Sequence, residues 1–355
     1  MSSSFLSLIP TQIQAQSRIT YSTDTTLSTD IFSTDVTIDS GVTVTTNGYN
    51  FYCTGTFTND GTIFTGYTGN QGMGASVAIP SGGTAGGSFP NSYGGSGGGG
   101  GGSTGGSGFG PAQVSGDGGN TTAVGGASGT NFGGCGFSIS EDGGNGSTPG
   151  MPSLTTAEIT SWYTQGMTNY LAGAGGGGGA GSGSMCSHLP GSIGGSGAYG
   201  ILIQADDVIA GTIEASGQIG EQPCCGFGTA GSGGGGGGGG GVILLAYGLG
   251  GLTAGTYDVD GGFGGYAGPN GGGGGNGGSG QSLYFYFGNS PPITSESTTT
   301  STTPTSSTSS SGAIPEFPVQ LGFALLVTVV IAASYVATRR ITPPRAGSKS
   351  GASGH

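Results

Sequence analysis

The chain has 355 residues, of which only 5 are Lys or Arg against 17 Asp or Glu, for a formal net charge of −12 and a charged content of 6%. A chain so poor in cations lacks the side chains that nucleic acids or anionic lipids require. Gly supplies 89 residues in runs rather than in a strict G-X-Y period, which excludes collagen and leaves disorder or a Gly-specific packing.

Residues 1–18 read as a truncated or atypical signal segment. Phe5-Leu6-Ser7-Leu8-Ile9 is apolar and Ile13-Gln14-Ala15 could precede a cut, but the basic start and the ~7–15 apolar residues of a secretory signal are missing. From Thr25 to Thr65 short alternating strands are predicted. Val36, Ile38, Val42, Val44, Phe51, Cys53, Phe57 and Ile63 are the apolar positions, and Asp39-Ser40-Gly41, Thr46-Asn47-Gly48 and Asn59-Asp60-Gly61 are the turns. This pattern resembles the coils of a right-handed parallel β-helix. The resemblance implies an all-β solenoid body over residues 19–290.

Gly runs follow at 97–102, 175–179, 233–241 and 271–275. Ordering each Gly costs roughly 1–2 kcal/mol of backbone entropy with little hydrophobic return, so the remaining resource is the backbone hydrogen bond. Extended Gly helices can pack side by side and bond to one another, the arrangement called polyglycine II. In composition the runs resemble the Gly-helix sandwiches of some phage adhesins and of a Gly-rich antifreeze protein; the alternative is disordered loops. Cys135, Cys186, Cys224 and Cys225 lie beside these runs and, with Cys53, make an odd count. They are candidate disulfide cysteines. Zinc is the alternative, though His188 is the one imidazole near them and no CxxC occurs. Asn120-Thr121-Thr122 and Asn145-Gly146-Ser147 are N-glycosylation sequons.

One α-helix is predicted within the body, over 153–172. Thr155 to Glu158 fits a capping box, and Ile159, Trp162, Tyr163, Tyr170 and Leu171 recur at helical spacing around Gly166. It reads as cover for the end or side of the solenoid, or alternatively as an aromatic face for sugars. Apolar strands then begin at Ile201, Val242 and Leu283, two intervals of 41 residues, and an AGT triplet follows the first two. Such periods mark a solenoid.

Asp206-Asp207 and Asp258/Asp260 are the carboxylate pairs that glycoside chemistry would need. Neighbours on a strand point to opposite faces, and the body has no cationic base, so these carboxylates read as solvated turns. No catalytic, cofactor or metal residue is assigned. Gly-rich phosphate loops are excluded by the absence of Lys.

Residues 291–314 form a stalk in which 16 of the 18 residues from Thr294 to Ser311 are Ser or Thr. The apolar stretch Val319 to Thr338 is long enough, at roughly 30 Å, to cross a bilayer as a helix. Arg339 and Arg340 follow as a basic stop-transfer, and residues 341–355 form a cytoplasmic tail, which places the body outside the cell. Pro315-Glu316-Phe317, the apolar helix and Arg339-Arg340, together residues 315–340, resemble the PEF-CTERM sorting signal of archaeal surface proteins. That resemblance implies processing by an archaeosortase-like enzyme and lipid anchoring. The tail beyond Arg340 departs from such signals, so a permanent single span stays open.

The sequence therefore points to a non-catalytic, membrane-anchored structural or adhesion protein of the cell surface. It would present Tyr93, Tyr247, Tyr266, Tyr284 and Tyr286 to surface glycans or neighbouring surface proteins. The alternative is a polysaccharide-binding or polysaccharide-cleaving β-helix enzyme. A further alternative is ice binding by a flat face around Thr37, Thr43, Thr45, Thr56 and Thr58.

Overall fold

The computed structural model describes residues 18–75, 83–101, 115–129, 141–180, 182–184, 187–189, 191–223, 232–267 and 271–293. The apolar alternation dictates short parallel strands wound into coils. The first coil carries β1 (Ile19–Tyr21) and β2 (Thr25–Thr26). The second carries β3 (Ile31–Ser33), β4 (Val36–Ile38) and β5 (Thr43–Thr45). The third carries β6 (Phe51–Cys53), β7 (Thr56–Asn59) and β8 (Thr62–Phe64). A long excursion follows, with α1 (Thr156–Gln165), α2 (Thr168–Leu171) and an antiparallel pair, β9 (Ser182–Ser184) and β10 (Ser187–Leu189). The solenoid then resumes with β11 (Ile201–Ile209) and β12 (Thr212–Glu214), with β13 (Val242–Thr253) and β14 (Thr256–Asp258), and finally with β15 (Gln281–Gly288).

Three walls result, all parallel. The first stacks β3, β6, β11, β13 and β15. The second stacks β1, β4, β7, β11 and β13, because β11 and β13 are long enough to run through both walls. The third stacks β2, β5, β8, β12 and β14. The expected parallel solenoid is thus present. The expected 41-residue phase is not its pairing register: Ile201 faces Ile243, and Leu244 faces Leu283. The AGT triplets do align, with Thr212 opposite Thr256. Excursions of unequal length separate the coils, so strand starts alone cannot fix the register.

The interior is filled by alternate residues, among them Val36, Ile38, Val44, Phe51, Phe57, Ile63, Ile203, Val208, Ile213 and Ile243, all at most 1% exposed. Short polar side chains tie one coil to the next at the corners. Asp24 accepts the N–H of Thr43 at 2.8 Å, Asp35 that of Thr56 at 2.9 Å, and Asp206 that of Leu249 at 2.8 Å. Asn59 donates to the carbonyls of Ala210 and Thr212 and accepts from Gly61, which joins coils separated by about 150 residues of chain.

Outside the first wall a second apolar layer holds Tyr52, Leu202, Val242, Leu244 and Leu283 under Ile159, Trp162, Met167 and Leu171 of the helical segment. Thr155 caps α1, accepting from the Glu158 N–H, as the capping box requires. The single helix expected over 153–172 is broken in two at Gly166, whose φ of +93° is open to glycine.

The Gly runs leave the coils and return as extended stretches bonded every third residue, the period of a three-residue-per-turn helix. In the stretch 233–241, Gly233, Gly236 and Gly239 donate to Ala180, Gly177 and Ala174. Gly234, Gly237 and Gly240 donate to Gly272, Gly275 and Gly278, and Gly235, Gly238 and Gly241 to Glu221, Gln218 and Ala215. The same stretch accepts from Gly95, Gly98 and Gly101, from Gly195 and Ala198, and from Gly262 and Gly265. It therefore has six bonded neighbours, three as donor and three as acceptor. Stretches 94–101 and 172–180 are likewise surrounded, and the three close a cycle: Gly236 donates to Gly177, Gly177 to Gly98, and Gly98 to Gly237. This is the polyglycine II pattern, in which small Ala and Ser side chains fit at a few positions while most Gly positions have no room for a Cβ. A Cβ at Gly236 would overlap the Gly98 carbonyl oxygen, whereas one at Gly150 would meet nothing within 4 Å.

Accordingly, Gly236→Ala should destabilise the protein by roughly 1–3 kcal/mol, the usual cost of overpacking, and Gly150→Ala should be neutral. Denaturant unfolding of the two variants beside the parent checks both.

Candidate functional site

The residues singled out for chemistry are dispersed. Asp206 and Asp207 lie at a register shift in β11 where the chain passes from the first wall to the second, and both are partly exposed outside the core. Asp206 is occupied by the Leu249 N–H, and both backbone N–H groups point at the Gly55 carbonyl, at 2.8 and 3.3 Å. Asp258 accepts from its own turn at Asp260 N–H, and Asp260 accepts from the Ser279 hydroxyl. Asp206 and Asp258 hold backbone N–H groups, Asp260 holds a hydroxyl, and the carboxylates do not converge. Among the described residues no group of three His, Cys, Asp or Glu could hold a metal ion.

The aromatic helix is cover. Trp162 is 6% exposed, stacked on Tyr170 at 5.3 Å and tilted against Tyr93 at 5.5 Å, so its face is unavailable to a sugar. The threonines do not form one flat face. Thr37 and Thr58 pair across the second wall, which Thr56 also joins. Thr43 and Thr45 sit on the third wall, where Thr43, Thr62, Thr212 and Thr256 form one in-register row. The neighbouring row of that wall runs Thr26, Thr45, Phe64, Glu214, Asp258. Carboxylates and a ring interrupt it.

Cys53 is the free cysteine of the described residues, buried in the solenoid interior at 3.7 Å from the Ser33 hydroxyl. Burial pushes its thiol from an ordinary 9.0 up to about 12, against the opposing pull of the Ser33 hydrogen bond. Burial also raises Tyr52, in the layer under the helix. Cys135, Cys224 and Cys225 lie outside the described residues, as do Cys186, the motif Pro315, Glu316 and Phe317, and Arg339 and Arg340. His188 lies on β10. No helix of the described residues is long and apolar enough to cross a membrane.

Both sequon asparagines are exposed on the rim of the Gly lattice. Asn120 Oδ1 accepts the Gly125 N–H at 2.7 Å and Asn145 Oδ1 accepts the Asn276 N–H at 2.9 Å. Each amide nitrogen, the atom a glycan would modify, has no hydrogen bond to the described residues.

One concave surface does gather side chains. A groove of about 500 Å³ lies on the outer side of the lattice between the segment Gln218–Gln222 and the segment Phe263–Tyr266. Ile219, Phe263 and Tyr266 stand 63%, 71% and 77% exposed around it, with Glu221 and Gln222 alongside. Its volume suits a small ligand or one sugar unit of a chain, and its single carboxylate supplies no acid–base pair. Of these residues only Tyr266 was expected. The readable signal is the Gly-aromatic alternation Gly262-Phe263-Gly264-Gly265-Tyr266, in which rings can point only away from a lattice that accepts none. No protein family, curated protein or solved structure matches the chain.

The thiol gives a direct check. Native Cys53 should resist an alkylating reagent at pH 8 and react fully in denaturant, read by mass spectrometry. Because the folded state keeps the thiol protonated where the unfolded chain loses its proton, the stability present below pH 9 should decline as pH rises toward 12. The parent Tm should fall over that window more than that of Cys53→Ala.

Proposed function

We propose that the chain is a structural or adhesive protein of the cell surface, non-catalytic, whose body is held to the membrane through its C-terminal segment. The coils would be right-handed, as in the β-helices the sequence resembles. The observation that carries this reading is the Gly lattice with its fully surrounded central stretches, joined to a solenoid in which Asp24, Asp35 and Asp206 accept backbone N–H groups. Such a body is built for stiffness, and its exposed aromatic side chains and rim asparagines are displayed rather than gathered round a reacting centre.

The rest follows from the sequence. The Ser/Thr stalk spaces the body from the bilayer, the stretch Val319 to Thr338 spans it, and Arg339 and Arg340 stay inside. The PEF-like motif Pro315-Glu316-Phe317 is where an archaeosortase-like enzyme would cut. Asn120 and Asn145 would carry glycans.

A second reading, polysaccharide binding, rests on the groove of Ile219, Phe263 and Tyr266. Rings so exposed offer contact area at little entropic cost. Protease added to intact cells should degrade the Gly-rich body while a C-terminal tag stays protected; protection of the body would overturn the anchored-surface reading. On a glycan array, Phe263→Ala with Tyr266→Ala should lower retention at least tenfold if the groove binds sugar. Product release from a polysaccharide panel would overturn the non-catalytic reading.

A further inference from the structure

The two ends of the solenoid are steps of one staircase. Each coil runs from the first wall to the second and then the third. The first described strand, β1, stands in the second wall, and the last, β15, stands in the first. Among the described residues each wall therefore holds five strands, and the coil that β15 begins shows neither a second-wall nor a third-wall strand, the two that β1 and β2 represent at the other end. We propose that this end-to-end match is an interaction surface for a second copy of the chain. In that contact the incoming β1 pairs with the end of β13, β2 with β14, and β3 with β15, which continues all three walls without a gap.

Three observations support that occupant. Among the described residues the edges are open for pairing: Ile19 donates inward to the Asp35 carbonyl at 2.9 Å, so the intervening Thr20 N–H faces away from β4. Core positions are left partly uncovered at both ends, Ile19, Tyr21 and Ile31 at one and Leu252 and Tyr257 at the other. Tyr284 and Tyr286, 48% and 56% exposed, lie over Tyr257 and Tyr247 at that second end.

Charge is compatible with the same register, although Arg18 already donates to the Thr37 hydroxyl at 3.5 Å and lies one strand step from Asp35 of its own chain. Arg18 is the sole Lys or Arg before Arg339. Pairing of Ile19 with Val36, Val36 with Phe57, and Asp207 with both Thr56 and Gly251 puts Arg18 in one outward column with Asp35, Thr56, Asp207 and Gly251. In the stacked pair, the incoming Arg18 follows Gly251 and stands two strand steps, about 10 Å, from Asp207. Gly251 has open space at its side-chain position, so nothing bars the guanidinium from the carboxylate. A head-to-tail contact of this kind does not close on itself and yields a filament. It holds whether or not the body is anchored to a membrane.

The test uses the full-length chain in mild detergent. Analytical ultracentrifugation across a hundredfold concentration range should show mass rising beyond one copy, and electron microscopy should show rods with an axial repeat of about 24 Å, five strand spacings. Thr20→Pro removes the outward N–H while the inward bonds of Ile19 and Tyr21 stay in place, and Arg18→Glu sets a carboxylate two strand steps from the Asp207 of the neighbouring copy, as well as one step from Asp35 of its own chain. Each should raise the concentration of half-association at least tenfold with Cys53 protection unchanged. A parent that stays a single copy throughout means that another segment covers the edges, and overturns the proposal. Association equal in parent and both variants means that another surface carries it, and overturns it equally. Protease access on cells can succeed or fail independently of both results.

Discussion

The backbone hydrogen bond between neighbouring glycine stretches is the interaction on which the body depends. Each one contributes a net ~0.5–1.5 kcal/mol, while ordering the residue that makes it costs about 1–2 kcal/mol. The two are nearly balanced, so a free Gly run has no reason to order. The balance tips when neighbours are already in place and when the ends of the run are already fixed. The stretch 233–241 meets both conditions, because it starts among bonded partners and ends at Gly241, immediately before β13. The solenoid and the lattice are thus one cooperative structure, in which the coils set the register that the lattice needs.

The solenoid in turn depends on side chains that satisfy backbone at its corners. Parallel coils of three-residue strands have few ladder bonds each, and the turns between them leave N–H groups facing the next coil. Asp24, Asp35 and Asp206 meet those groups, and Asn59 bridges to the fourth coil across the longest excursion. Buried or half-buried polar groups left unpaired would cost more than these bonds return. That asymmetry explains why these acidic side chains stand at the corners: their oxygens are used by backbone donors.

Much of this was legible in the sequence, for physical reasons that also mark the limit. The alternation of Val36, Ile38, Val44 and Ile63 announces half-buried strands, and the Thr155 to Glu158 box announces a helix start; both are local codes. The repeat was visible in strand starts and in AGT, but not its register, since Ile201 pairs with Ile243 through excursions whose length the coil does not dictate. The choice between lattice and disorder could not be made from Gly runs either, because a Gly residue carries no pattern and its partners are fixed only in three dimensions. The groove was hidden for a related reason. Ile219 and Phe263 are 44 residues apart, and only the lattice brings their segments together.

The rim of the lattice shows how the same chemistry is brought to a stop. Among the described residues an outer stretch has N–H groups pointing where no further stretch lies, and an uncapped row of them would invite a foreign Gly chain as an open strand edge invites a strand. At those places the sequence changes from Gly to short polar residues. Asp142 takes the Gly273 N–H at 2.6 Å, Asp117 that of Ser128 at 2.7 Å, Asn276 that of Gly264 at 2.9 Å, and Asn120 that of Gly125 at 2.7 Å. Each substitutes a side-chain oxygen for the carbonyl a neighbour would have offered, and each carries bulk that bars the site to another helix. Composition thus helps to bound the lattice: Gly, Ala and Ser where a stretch is surrounded, and Asp or Asn at these rim sites. At these rim sites the bonding capacity is already used, while among the described residues the two ends of the solenoid keep theirs, so the proposed contact with another copy would fall to the strands rather than to the glycines.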